Sequence, residues 1–145
     1  MIDSRTAPYG LFGLRLALGI LFLAHASLKI FVFTPAGFAH FFGMLGLPAW
    51  FAYLTILWEV LGGAALILGV WPRIAALAAA PILLGAIAFV HGSAGFFFTD
   101  PNGGWEFPAL WTVGLVVLAL CGDGAFALVP TPLAQLGGDF ARRAA

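Results

Sequence analysis

Ionisable side chains recur inside the first long apolar stretch of the chain. Between Gly10 and Phe33 nearly every residue is Leu, Ile, Ala, Gly or Phe, yet Arg15, His25 and Lys29 interrupt the run. At alternating steps of three and four residues, these three side chains fall on one helix face. A charged group at the centre of a bilayer costs about 2.5–3.5 kcal/mol, so such groups usually face protein or water. We therefore expect this helix to meet polar partners on other helices.

Each later apolar segment carries one more ionisable residue. Glu59 interrupts the second long segment, His91 lies near the end of the third, and Glu106 lies at the start of the fourth. Carboxylates and imidazoles at such positions can bind a polar ligand or carry a proton. The candidate ligand- or proton-binding residues are Arg15, His25, Lys29, Glu59, His91 and Glu106.

Every candidate also has a structural interpretation. Glu59 either holds two helices together or belongs to a ligand- or proton-binding site. Its partner is either Arg15 or the pair His25 and Lys29. We expect Arg15 and Glu59 to be energetically coupled, with Arg15 in an ion pair or in an anionic-ligand site. Lys29 can extend to the membrane surface. The carboxylate of Glu106 suits the first turn of a helix, where the helix dipole favours negative charge.

Composition places the chain in a membrane. Its 145 residues are 63% hydrophobic and 8% charged, whereas soluble domains carry roughly 25% charged residues. The formal net charge is zero and the basic residues are scattered, which excludes a nucleic-acid surface. One cysteine, Cys121, excludes an internal disulfide and a CxxC redox pair. Electron chemistry would therefore need a bound cofactor or a partner protein.

The apolar segments predict an all-α fold, an integral membrane four-helix bundle in one domain over residues 1–145. The predicted spanning helices cover about 10–31, 49–69, 72–94 and 105–121. A short interfacial or re-entrant helix at about 35–45 begins at Thr34-Pro35, an N-cap followed by proline. Pro81 should bend the third spanning helix. Asp100-Pro101-Asn102-Gly103 fits a type I turn.

The distribution of basic residues predicts the orientation in the membrane. One side should hold Arg5, Arg15, Arg73 and the Arg142-Arg143 pair, while Lys29 borders the other side. Lys and Arg accumulate on the cytoplasmic side. We therefore expect a multi-pass protein of the inner (plasma) membrane with both termini in the cytoplasm, including the tail 123–145.

Two histidines on neighbouring helices raise the question of haem. His25 and His91 differ in depth by roughly 6 Å at 1.5 Å of rise per residue, which disfavours coordination of a single haem iron. We predict no metal site, no certain cofactor, and no assignable catalytic residue.

The motifs, taken in order, have a family resemblance. Leu18-Gly19-Ile20-Leu21-Phe22-Leu23-Ala24-His25 with Lys29, then Leu45-Gly46-Leu47-Pro48, then Glu59 with Gly62-Gly63, and finally Gly103-Gly104-Trp105-Glu106-Phe107-Pro108 resemble the DoxX family of small bacterial membrane proteins. The resemblance implies a four-helix membrane bundle. Members are often described as oxidoreductase-like, and some are linked to thiosulfate:quinone oxidoreduction, to tolerance of quinones and catechols, or to assemblies with other redox proteins.

Three functions fit the residues and the resemblance. The first is a redox-associated or quinone-interacting subunit, an oxidoreductase subunit among the alternatives, with a polar pocket open to the outer face. The second is a non-catalytic membrane partner, and the third is a carrier of small solutes or protons. The bilayer, other redox proteins and a second copy of the chain are the partners considered. The predicted pocket walls are Phe22, Trp58, Phe89 and Trp105.

Overall fold

The computed structural model of the protein describes residues 3–132, and these residues are mostly helical. This confirms the all-α prediction. The helices are α1 (Ala7–Ser27), α2 (Pro35–Met44), α3 (Ala49–Leu68), α4 (Pro72–Ala86) and α5 (Glu106–Cys121). Helix α1 continues as a π-helical turn over Leu28–Val32, and α4 continues as another over Ile87–His91. Of the predicted cytoplasmic tail, residues 133–145 lie outside the described residues.

Three helical stretches are long and apolar enough to cross a membrane, namely Ala7–Val32, Ala49–Leu68 and Pro72–His91. Large apolar side chains on their outer surfaces are about half exposed, as a lipid-facing surface requires. The protein is therefore a helical membrane bundle. Helix α5 is apolar but has 16 residues, about 24 Å at 1.5 Å per residue. That α5 forms a fourth span stays a prediction.

Helices α1 and α3 run antiparallel and approach closely at a pair of glycines. A Cβ atom on Gly19 would lie 2.8 Å from the carbonyl oxygen of Gly63 and 2.7 Å from Cγ1 of Ile67. A Cβ atom on Gly63 would in turn lie 3.0 Å from the carbonyl oxygen of Gly19. Small residues at such crossings let helix backbones pack closely where no hydrophobic effect drives association.

The core of the bundle lies between α4 and α5 and includes α1. Alanines on α4 pack against large side chains of α5, so a helix face of small side chains packs against one of large side chains. Phe22 of α1 is fully buried, and its ring centroid lies 4.5 Å from that of Trp111. The buried core residues are Leu18, Phe22, Leu66, Ala75, Ala76, Ala79, Leu83, Trp111, Leu115, Leu118 and Ala119.

Helix α2 begins where the sequence predicts. The Thr34 side-chain oxygen accepts a hydrogen bond from the Gly37 backbone N–H at 3.2 Å, which makes Thr34 the N-cap, and Pro35 is the first helical residue. Phe38 packs with Ala52 and Ile56 of α3 in a second cluster. This helix therefore covers the start of α3. We call one end of the bundle the Lys29 end; it contains Ala49, His91 and Glu106. We call the opposite end the Arg15 end; it contains Leu68, Pro72 and Cys121.

Candidate functional site

A cavity of about 1520 Å³ occupies the Lys29 end of the bundle. All five helices or their π-helical extensions contribute to its lining, and most of the lining is apolar. Of the six candidate residues, the structure places five on this cavity and leaves Arg15 outside it. The five are His25, Lys29, Glu59, His91 and Glu106.

Lys29 and Glu59 form a buried ion pair at the cavity wall. Nζ of Lys29 lies 2.7 Å from Oε1 and 2.8 Å from Oε2 of Glu59. Side-chain exposure is 13% for Lys29 and 4% for Glu59. In so little water both charges need each other, because an isolated buried charge is very costly. The sequence left two alternatives for the partner of Glu59, either Arg15 or the pair His25 and Lys29. The structure confirms the second alternative, and Lys29 makes the contact.

The π-helical turn explains how Lys29 reaches α3. A π-helical turn carries an additional residue, which rotates the following side chains away from the face they would occupy on a regular α-helix. Lys29 is the second residue of that turn. Its Nζ also lies 5.3 Å from the ring centroid of Phe38, within the range of a cation–π contact.

The two histidines border the same cavity in different settings. Nδ1 of His91 lies 2.8 Å from the carbonyl oxygen of Gly103. Because a carbonyl oxygen accepts, Nδ1 carries a proton in this contact, and Nε2 is the ring nitrogen left for a ligand. The His25 ring packs edge-on against Trp111, with centroids 5.1 Å apart. Among residues 3–132 no group of three or more His, Cys, Asp or Glu converges in a way that could hold a metal ion.

The α4–α5 connection is a folded loop that positions Glu106. Oε1 of Glu106 accepts a hydrogen bond from the Phe98 backbone N–H at 3.0 Å, and Oδ2 of Asp100 accepts one from Phe97 at 2.9 Å. The predicted turn exists, since the Gly103 N–H donates to the Asp100 carbonyl at 2.8 Å. Its type I assignment was wrong, because Asn102 has φ +71, the positive value that a type II turn needs at this position.

Two of the four predicted wall residues line the cavity, Trp58 and Phe89. Phe22 and Trp105 do not, and both predictions were wrong. Phe22 is buried in the core instead, and Trp105 packs edge-on against Phe96 with centroids 4.8 Å apart.

Sequence reasoning missed other aromatic walls. Phe38, Phe41 and Phe42 of α2 line the cavity, as does Trp111 of α5. The spacing of Phe107 and Trp111, one helical turn apart, could have indicated a shared face. The indole N–H groups of Trp58 and Trp111 are buried and have no hydrogen-bond partner among the described residues.

Arg15 has a different role from the one predicted. Its side chain is fully buried at the opposite end of the bundle. One guanidinium nitrogen donates to the Asp123 carbonyl at 2.8 Å, and the other donates to the carbonyls of Ala125 and Phe126 at 3.2 and 3.3 Å. The predicted coupling of Arg15 with Glu59 was therefore wrong, because the two terminal guanidinium nitrogens of Arg15 bind carbonyls of the segment after α5, while its buried Nε has no hydrogen-bond partner among the described residues.

That segment, residues 122–131, folds back under the Arg15 end and is named here the strap. Its backbone pairs with the α3–α4 link, where Trp71 N–H donates to the Val129 carbonyl at 2.8 Å and Val129 N–H donates to Gly69 at 3.0 Å. Gly69 has φ +72, and a Cβ there would lie 2.6 Å from a guanidinium nitrogen of Arg15. The Asp123 carboxylate accepts hydrogen bonds from the Thr131 N–H and hydroxyl at 2.8 and 2.6 Å. The strap thus closes this end of the bundle.

Comparison with known proteins identifies the family of the chain. The DoxX family profile matches residues 10–92, which cover most of α1 and all of α2 to α4, with Lys29, Glu59 and His91. The chain is 35% identical over 127 residues to a protein of Bacillus subtilis (strain 168) named "Putative oxidoreductase CatD", covering 88% of this chain and 90% of that protein. No solved structure matches the chain. The match over more than half of its length shows that this membrane protein belongs to the DoxX family.

Proposed function

We propose that the cavity binds a quinone-type ring and that the protein is a quinone-interacting subunit of a membrane redox system. The observation that carries this proposal is the meeting of the Lys29–Glu59 pair and His91 on one aromatic-walled cavity inside a membrane bundle. Mostly apolar cavities with a few convergent polar groups are the usual form of a small-molecule site.

The charge of the cavity favours a neutral ligand. Lys29 and Glu59 neutralise each other, and Arg15, the candidate for an anionic-ligand site, binds backbone carbonyls elsewhere. Among the described residues no unpaired Lys or Arg lines the cavity, so this low-dielectric cavity gives an anion no compensation for the water it loses on entry. A quinone is neutral and apolar over its ring faces, which suits the walls formed by Phe38 and Phe89.

Hydrogen-bond donors and acceptors in the cavity match both redox forms of such a ring. The ammonium group of Lys29 has three N–H donors, and its two contacts with Glu59 leave one free. The free Nε2 of His91 can accept a hydrogen bond from a quinol hydroxyl, or take up its proton.

The electrons have to come from outside the chain. Reduction of a quinone to a quinol consumes two electrons and two protons, and a single cysteine cannot supply the electrons. The similarity to a protein named as an oxidoreductase supports a place in electron transfer. We therefore expect a separate redox protein as partner, with this chain holding the ring and its protons through Glu59 and His91.

The same proposal includes an orientation. Arg5 and Arg73 belong to the Arg15 end, where Nε of Arg73 donates to the Ala119 carbonyl at 2.6 Å. By the positive-inside rule this end faces the cytoplasm of the cell, in the inner membrane, with both termini on that side. The cavity then lies in the outer half of the bilayer.

Lipid extraction tests the proposed ligand class. Protein purified from native membranes should carry a quinone, detected by mass spectrometry, at a molar ratio well above that of an unrelated four-helix membrane protein prepared in the same detergent. Equal quinone content in both preparations would contradict the proposal.

A further inference from the structure

We propose that the cavity opens sideways to the bilayer between α3 and α4, and that this opening, named here the α3–α4 gap, holds the apolar tail of a membrane-soluble quinone. This inference rests on the proposed function and narrows it. It assigns the tail a site on named helix faces, and it selects tailed, membrane-resident quinones over small water-soluble phenols.

Helices α3 and α4 are packed together at the Arg15 end, and both line the cavity towards the Lys29 end. Three residues, Gly69 to Trp71, link them, and both helices contribute to the same core near this link. The buried residues there are Gly62, Gly63 and Leu66 on α3 and Ala75, Ala76 and Ala79 on α4. The cavity lining runs from Glu59 back to Phe51 on α3, and from Ala78 along α4 and its π-helical extension to His91.

The walls of the gap are helix faces that lack a protein partner. Pro81, Gly85 and Phe89 follow one another at steps of four along α4, and all three line the cavity. On α3, Leu54 and Leu57 also line it. Phe89 is 53% exposed, Leu54 49% and Leu57 53%. Side chains that line a cavity and are also half exposed belong to its mouth, which by this measure also includes Leu110 and Phe107 of α5. The part of the mouth formed by α3 and α4 is apolar, as a surface facing hydrocarbon must be.

The size of the cavity agrees with a tailed ligand. Small-molecule pockets measure roughly 300–1,000 Å³, whereas this cavity measures about 1520 Å³. A quinone ring bound at the Lys29–Glu59 pair would leave most of this volume to be filled. An isoprenoid or alkyl tail, extending from the ring through the gap, fills apolar space with apolar surface.

Gly85 offers a substitution that narrows the gap without disturbing the fold. A Cβ on Gly85 meets no atom within 4 Å, and the same holds for Gly13 on the exposed face of α1, away from the cavity. Gly85→Leu therefore adds a side chain to the gap, and Gly13→Leu adds one to the lipid-facing surface. Both replace glycine within a helix, so their effects on helix propensity match.

The experiment measures the affinity of each variant for decylubiquinone and for the ubiquinone head group without a tail, in nanodiscs of one lipid composition. Quenching of tryptophan fluorescence reports binding, because Trp58 and Trp111 line the cavity. Gly85→Leu should weaken decylubiquinone binding at least tenfold and leave head-group binding within twofold of the wild type. Gly13→Leu should change neither affinity.

The possible outcomes separate the two proposals. If the wild type binds neither compound, the proposed function fails and this inference fails with it. If both compounds bind and Gly85→Leu leaves both affinities unchanged, the ligand class stands and the α3–α4 gap is wrong as the tail site. As a second readout, a quinone with a photoreactive group at the end of its tail should label α3 or α4, near Leu57 or Phe89. Labelling confined to α1 or α5 would overturn the inference even if Gly85→Leu failed to fold.

Discussion

Two opposite charges lie buried side by side at the polar end of the cavity. Lys29 and Glu59 have side-chain exposures of 13% and 4%, so neither charge has enough water to be stable alone. The two charges of the pair balance each other, and one N–H of Lys29 remains for a ligand. The pair thus serves both the packing of α1 on α3 and the proposed site.

We expect Lys29 and Glu59 to be strongly coupled in a double-mutant cycle. Glu59→Gln leaves an ammonium group buried without its counter-charge, a loss of about 3–5 kcal/mol. Lys29→Met leaves the carboxylate unpaired, and the Lys29→Met/Glu59→Gln double variant should recover more than 1 kcal/mol relative to the sum. Unfolding in mixed micelles with increasing denaturing detergent measures these free energies of unfolding.

Arg15 supplies the control for this cycle. Arg15→Leu should destabilise the protein because three carbonyls of the strap lose their donors. Combined with Glu59→Gln, its effect should be additive within about 0.5 kcal/mol, since the two residues share no partner. Additivity for Lys29 with Glu59, or strong coupling for Arg15 with Glu59, would reverse the pairing described here.

The types of the site residues could be predicted from the sequence, but their pairing could not. An ionisable group inside an apolar helix stands out, and five of the six found in this way border one cavity. Lys29, the partner of Glu59, lies in a π-helical turn that no residue pattern predicts. The partner of Arg15 lies 108 to 111 positions away, in a segment without helical periodicity.

At the scale of the elements, the crossing of α1 and α3 fixes the distance over which Lys29 must reach Glu59. The backbones approach closely at Gly19 and Gly63, so a methyl group at either position meets the other helix. Small residues favour close packing of helices. The sequence did not indicate that Gly19 lies opposite Gly63, since the register of two helices depends on both surfaces.

A pair of alanine substitutions tests this crossing. Gly19→Ala places a Cβ 2.7 Å from Ile67 and 2.8 Å from the Gly63 carbonyl, whereas Gly13→Ala meets nothing within 4 Å. Overpacking costs about 1–3 kcal/mol, and replacing helical glycine with alanine gains about 1 kcal/mol. Gly13→Ala should therefore be neutral or stabilising and Gly19→Ala destabilising, measured by thermal unfolding in one detergent. Equal stability of the two variants would refute the close approach.

At the scale of the whole molecule, the two ends of the bundle are built differently. The strap and Arg15 close one end with backbone pairing, while the other end holds the cavity and its ionisable residues. The membrane class and the all-α fold could be predicted from composition and apolar run length. The strap could not, because its pairing is between irregular segments that are far apart in sequence.

The orientation of the bundle can be measured by cysteine labelling. The native Cys121 is exposed, so Cys121→Ala provides the background. A membrane-impermeant maleimide applied to intact spheroplasts should label Thr99→Cys, in the α4–α5 loop, and should miss Ser4→Cys. Both should react after permeabilisation. Labelling of Ser4→Cys and protection of Thr99→Cys in intact spheroplasts would place the cavity in the inner half of the bilayer.

The central claim is that the ring of a quinone binds beside Lys29, Glu59 and His91, and direct measurement of decylubiquinone affinity tests it. Glu59→Gln and His91→Ala should each weaken binding tenfold or more, about 1.4 kcal/mol. His40→Ala, on the exposed face of α2 and outside the cavity, is the matched histidine control and should leave binding unchanged. Lys29→Met/Glu59→Gln, which removes both charges together, should bind as weakly as Glu59→Gln while remaining better folded. Wild-type affinity in the folded His91→Ala and Lys29→Met/Glu59→Gln variants would contradict the proposed site.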